Sequence, residues 1–70
     1  MDREELLKLL QTGPIRILMN DGNSYSVEQP SEAIVSDDAA HVLYRDTKGQ
    51  VRVMILPLVS MSGIEQLSSA

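Results

Sequence analysis

The spacing of apolar residues changes along the chain. From Leu6 to Leu10 it is helical, with Leu6, Leu9 and Leu10 at i, i+3 and i+4 and Leu7 beside them. From Ile15 to Val27 apolar and polar residues alternate, the period of strands with one buried face. The first spacing predicts a helix over residues 2–12. Asp2 stands at its N-terminal cap with Glu5 three residues on, the capping-box spacing, and Gly13-Pro14 ends it. A helix this short is marginal in water by itself, so it must dock by its leucines.

The stretch "ILMNDGNSYSV", Ile17 to Val27, reads as a hairpin whose register depends on loop length. A two-residue Asp21-Gly22 loop sets Leu18 against Tyr25 and Ile17 against Ser26, mixing apolar and polar residues on both faces. A three-residue Asn20-Asp21-Gly22 loop pairs Met19 with Asn23, Ile17 with Tyr25 and Ile15 with Val27 on one face, with Gly22 taking the left-handed position. Only the longer loop keeps the period of two in both strands, so the odd-numbered residues are expected to face the core.

Pro30 then interrupts the pattern as an edge, a bend or a short helical turn, Ala33–Val35 suits a very short strand, and Asp37-Asp38 suits a turn. A second hairpin follows, with strands over 41–45 and 51–56. Its loop places Asp46 first and Gly49 fourth in a type I turn and pairs Tyr44 with Arg52. Pro57 is expected to stop the ladder, and residues 58–64 supply one more short strand before the polar tail "EQLSSA". One helix followed by about five short antiparallel strands predicts a mainly β (α+β) fold. We expect a single small SH3-like or Sm-like barrel domain over residues 1–70. Any sheet edge left open is a candidate for pairing with a second copy.

The order of helix, "IRILMNDGNSYSVEQP", a short link ending in Ser36, "VLYRD" and "VRVMILPLVSMSGIE" resembles a group of small uncharacterised bacterial proteins. They share an Asp-Gly hairpin, an aromatic-x-Val strand, a His-Pro-Glu-like step and a C-terminal Ile-x-x-Ile-Glu-like strand. Gln29 and Ser31 stand where that step would have its histidine and its acid. The resemblance implies a fold and no activity. The layout is also similar to the Sm-like fold, including the bacterial Sm-like RNA chaperone, in which the last two strands pair between subunits to build a ring. The Asp-x-x-Met-Asn-like segment and the Lys-His pair of that chaperone have no counterpart at Gln29-Pro30-Ser31 or beside Pro57.

Composition narrows the chemistry. Seventy residues bury only about 60% of the unfolded surface, and the chain has no cysteine and one histidine, so neither disulfides nor a Cys/His zinc site can add support. Oligomerisation is the remaining means. With neither Phe nor Trp, the core must come from Leu, Ile, Val, Met and Ala, with Tyr25 and Tyr44 as the aromatics. The charged first turn does not resemble a secretory signal and no run approaches a membrane span, so a bacterial cytoplasmic location without membrane contact is expected. Six Lys/Arg against ten Asp/Glu give a net charge of −4, which repels phosphate backbones at long range.

No constellation points to catalysis. His41 titrates near neutral pH but stands without a cysteine or a second histidine, and reads as a partly exposed sheet residue. Asp37-Asp38 suits a solvated turn better than a cation site. None of the serines at 24, 26, 31, 36, 60, 62, 68 and 69 lies in a Gly-x-Ser-x-Gly elbow, and Gly13, Gly22, Gly49 and Gly63 are isolated, so no phosphate-cradling loop exists. The expectation is a non-enzyme with no catalytic residue, cofactor or metal, whose partner is itself or another protein. The apolar "MILPLVSM" region nominates Met54, Leu56, Leu58, Val59 and Met61 for self-association, with ordinary burial in the core as the alternative. Tyr44, Arg45 and Arg52 nominate a nucleic-acid platform, an aromatic beside two arginines, against a reading in which their stems cover apolar surface.

Overall fold

A computed structural model describes residues 1–67, so Ser68, Ser69 and Ala70, which end the expected tail, lie outside the described residues. Helix α1 spans Arg3–Leu10, shorter than expected at both ends. Asp2 occupies the cap position and its carbonyl accepts from the Leu6 N–H, but its side chain makes no capping bond, so the expected Asp2/Glu5 box does not form. A comparable contact forms elsewhere. The Glu32 carboxylate accepts from the backbone amides of Glu28 and Gln29, at 2.8 and 3.3 Å, around a single 3-10 turn over Pro30–Glu32.

Six strands follow the helix: β1 (Ile15–Met19), β2 (Ser24–Val27), β3 (Ala33–Val35), β4 (Ala39–Arg45), β5 (Val51–Pro57) and β6 (Met61–Gln66). They form two antiparallel sheets, ordered β2-β1-β6 and β3-β4-β5. The expected barrel closure is not found among the described residues. Two 3-10 turns, Pro30–Glu32 and Leu58–Ser60, separate β2 from β3 and β5 from β6, so the ladder does not carry through either joint. The pairing of β1 with β6 also corrects the expected end of the last strand, because Glu65 and Gln66 belong to β6 opposite Arg16 and Ile15 and not to a tail.

Both hairpin registers agree with the expected ones. Ile15 faces Val27 and Ile17 faces Tyr25, the Met19 N–H donates to the Asn23 carbonyl, and Gly22 sits at φ +91° in the three-residue loop. That angle falls where a Cβ is strained, which is why the loop takes glycine there. Tyr44 pairs with Arg52, and the Asp46 N–H donates to the Gln50 carbonyl. Pro57 closes β5 opposite Ala39, after which the Leu58 N–H donates to the Asp38 carbonyl and the chain crosses to the first sheet.

One core joins the sheets and the helix. Leu6 and Leu10 from α1 pack with Ile15, Ile17, Met19 and Val27 of the first sheet and with Val35, Ala40, Val42 and Leu56 of the second. Leu58 and Met61 complete it from the corner between the sheets. A bulge in β6 matters here: Leu18 pairs with Gly63 but Met19 pairs with Met61, leaving Ser62 as the extra residue, its hydroxyl donating to the Leu18 carbonyl. The extra residue lets Met61 and Ile64 both pack against the core although their parity differs.

Candidate interaction surface

The two faces of β3-β4-β5 differ in what they cover. Directly paired residues of an antiparallel ladder share a face. Ala40 pairs with Leu56 and Val42 with Met54, and these residues line the core. The opposite face carries three rows: Ile34, His41 and Ile55; Leu43 and Val53; Arg45 and Val51. Its aliphatics are open to solvent, from Leu43 at 43% exposed through Val53, Val51 and Ile55 to Ile34 at 72%. Sequence reasoning missed this set. The available signal was that "VRVMIL" is apolar at both parities, more than a single buried face requires.

Most of the expected self-association set lies in or against the chain's own core. Leu56, Leu58 and Met61 are buried in the chain's own core, and Met54 is half-buried against it. For Leu58 and Met61 the reason is the corner after Pro57, which turns both inward to close the end of the core. Val59 alone of the five points outward, and it lies apart from the apolar rows, in the 3-10 turn.

The Tyr44, Arg45 and Arg52 platform is brought together only in part. Tyr44 and Arg52 share a face, whereas Arg45 pairs with Val51 on the other. Both guanidinium groups serve the hairpin: Arg45 donates to the Gly49 carbonyl at 2.9 Å, and Arg52 Nε donates to Asp46 Oδ2 at 2.8 Å. Asp46 organises this tip, its other oxygen accepting from the Lys48 and Gln50 amides. Its carboxyl is held below the ordinary value of 3.8, first by the Arg52 hydrogen bond and then by the Gln50 and Lys48 amides. A carboxyl whose folded pKa is lowered stabilises the fold above its unfolded value and loses that contribution as the pH falls through the folded one. Asp46→Asn should therefore lower the urea midpoint at pH 6 and leave it equal to that of the parent well below pH 3.8, in denaturation series run across that range.

His41 is half-buried at the middle of the first apolar row. It shares a depression of about 90 Å³ with Ser31, Glu32, Ile34, Leu43 and Val53. Serine, glutamate and histidine thus meet, but no hydrogen bond links the three among the described residues, and Glu32 Oε1 is held by the Glu28 and Gln29 amides. A wider depression of about 300 Å³ lies just before the start of β3, lined by Glu32, Leu43, Tyr44, Arg45 and Val51. Asp38 accepts from the Ser36 hydroxyl within an exposed turn, and no group of three His, Asp or Glu residues that could hold a metal ion occurs among the described residues. No helix among the described residues is long and apolar enough to cross a membrane.

Arg16, opposite Ser26 in the β1–β2 pairing, also forms an exposed ion pair with Glu65 of β6 at 3.0 Å. Such a pair contributes little to stability. Comparison with models of known protein families, with curated proteins and with solved structures finds no match to this chain.

Proposed function

We propose that the chain is a non-catalytic interaction or oligomerisation module whose working surface is the outer face of β3-β4-β5. The observation that carries this reading is the concentration of Ile34, Leu43, Val51, Val53 and Ile55 on one exposed sheet face. Exposed apolar groups gathered in one patch mark binding surfaces, whereas scattered ones need no explanation. The two sheets fit an SH3-like or Sm-like layout opened at its 3-10 corners, and the resemblance in sequence supports a bacterial cytoplasmic protein.

The test compares the parent chain with Val53→Lys/Ile55→Lys, which alters the face and leaves the core untouched. At dilutions where the parent is monomeric, an apolar fluorescent dye should bind it and not the double variant. Equal dye binding, together with equal solution masses at every concentration, would remove the basis for this reading.

Single-stranded nucleic-acid binding through Tyr44, Arg45 and Arg52 is the competing reading. Its support is weaker, because both guanidinium groups already serve the hairpin and the net charge is −4. A labelled single-stranded oligonucleotide should show no change in anisotropy even at low ionic strength, where phosphate contacts are strongest. Binding that falls steeply with salt and is lost in Arg52→Ala would favour the nucleic-acid reading instead.

A further inference from the structure

We propose that a second copy of this chain covers the outer face of β3-β4-β5, sheet packed on sheet; the inference rests on the reading of that face as the working surface and names its occupant. Area supports it first. At 43–72% exposure, the five aliphatics of the face present roughly 500 Å² of apolar surface, about a tenth of the chain's 4750 Å². Two such faces remove about 1,000 Å² from water before His41 in their midst and the rim of Ser31, Glu32 and Arg45 are included, which brings the contact to the lower end of the size that stable complexes use.

Charge supports it second. The net charge is −4, yet the strand positions that form this face include a single formal charge, on Arg45. Of its charged neighbours, Glu32 is turned onto the Glu28 and Gln29 amides and Arg45 onto the Gly49 carbonyl, and β3 and β5 contribute no ionisable group to it. A strongly charged partner finds little complement here, whereas an apolar face is its own complement. A two-fold contact uses the same patch on both copies, so one face suffices. A chain of 70 residues without cysteine also has reason to gain stability from such a contact.

Light scattering after size exclusion tests the proposal on the full chain from low micromolar to millimolar concentration. The parent should approach twice its 7.7 kDa mass at the upper end and dissociate on dilution. Added salt should tighten it, because screening relieves the repulsion between two acidic copies. Val53→Lys/Ile55→Lys, with its far-ultraviolet circular dichroism unchanged, should raise the dimer Kd at least about thirtyfold. Val59→Lys, a more exposed apolar loss off the face, should leave it unaltered. A parent that stays at 7.7 kDa into the millimolar range overturns the second copy as occupant. Dye binding that the double variant abolishes would in that case still uphold the face as a binding surface, and unchanged dye binding would end both readings. A dimer that survives the double substitution also overturns the proposal, and directs attention to the unpaired edge of β5.

Discussion

Leu58→Asp should leave the chain largely unfolded at room temperature, while Val59→Asp, one residue on, should be stable to within about 0.5 kcal/mol of the parent. Leu58 is 4% exposed and closes the core at the corner between the sheets, whereas Val59 is 85% exposed on the same 3-10 turn. A carboxylate at position 58 would enter a core that holds no buried polar or charged residue among the described residues, and the neighbouring Met1 ammonium already donates to the Leu58 carbonyl at 3.1 Å. Burying an unpaired charge costs several kcal/mol. A domain of this length has a total stability of roughly 4–10 kcal/mol at typical per-residue values. Urea unfolding followed by circular dichroism separates the outcomes, and equal loss in the two variants would contradict the inward turn at Pro57.

Ile17→Ala is expected to cost about 3 kcal/mol, the usual range for emptying a buried aliphatic site. Ile17 is 1% exposed in the central strand of its sheet, between Tyr25 on one side and Ile64 on the other. At the size of this chain such a loss corresponds to a fall in Tm of roughly 12–24 °C. Its neighbour Leu18 points to the opposite face and is only half-buried, so Leu18→Ala should cost less than about 1.5 kcal/mol. Thermal melts of the pair test the register directly. A one-residue slip would exchange the two costs, because side chains alternate faces along a strand.

The residues that stabilise the fold and those proposed for binding were legible to different degrees. Both hairpins could be derived from local signals, since Gly22 tolerates the left-handed conformation that its loop demands and the polar members Arg16, Ser24 and Ser26 leave one apolar face. Ala33–Val35 was expected as a strand and forms one. Helix α1 was recognisable by its leucines, although its cap was not, because a side chain with capping chemistry has a choice between the backbone and water at an exposed helix end. The interaction face was not legible. Apolar residues stand at both parities of "VRVMIL", and its charged member, Arg52, lies at the parity of the buried Leu56, so the pattern marks the wrong side as wet.

Sequence by itself determined the local geometry of this protein: one short helix, two tight hairpins in a unique register, and the interruption at Pro30. These follow from the period of the apolar pattern and from the backbone preferences of single residues, both of which act over a few positions. Tertiary structure alone decided three other things. It separated the strands into two sheets, it turned Leu58 and Met61 inward while Ser62 bulged from β6, and it directed Met54 and Leu56 to the core while Val51, Val53 and Ile55 remained in solvent. The physical reason is that the composition of β5 does not favour the face it buries, since Arg52 stands at the parity of Met54 and Leu56 while Val51, Val53 and Ile55 form a wholly apolar row. The choice came from which face Ala40 and Val42 of β4 already shared with the first sheet and the helix, a contact between residues far apart in the chain.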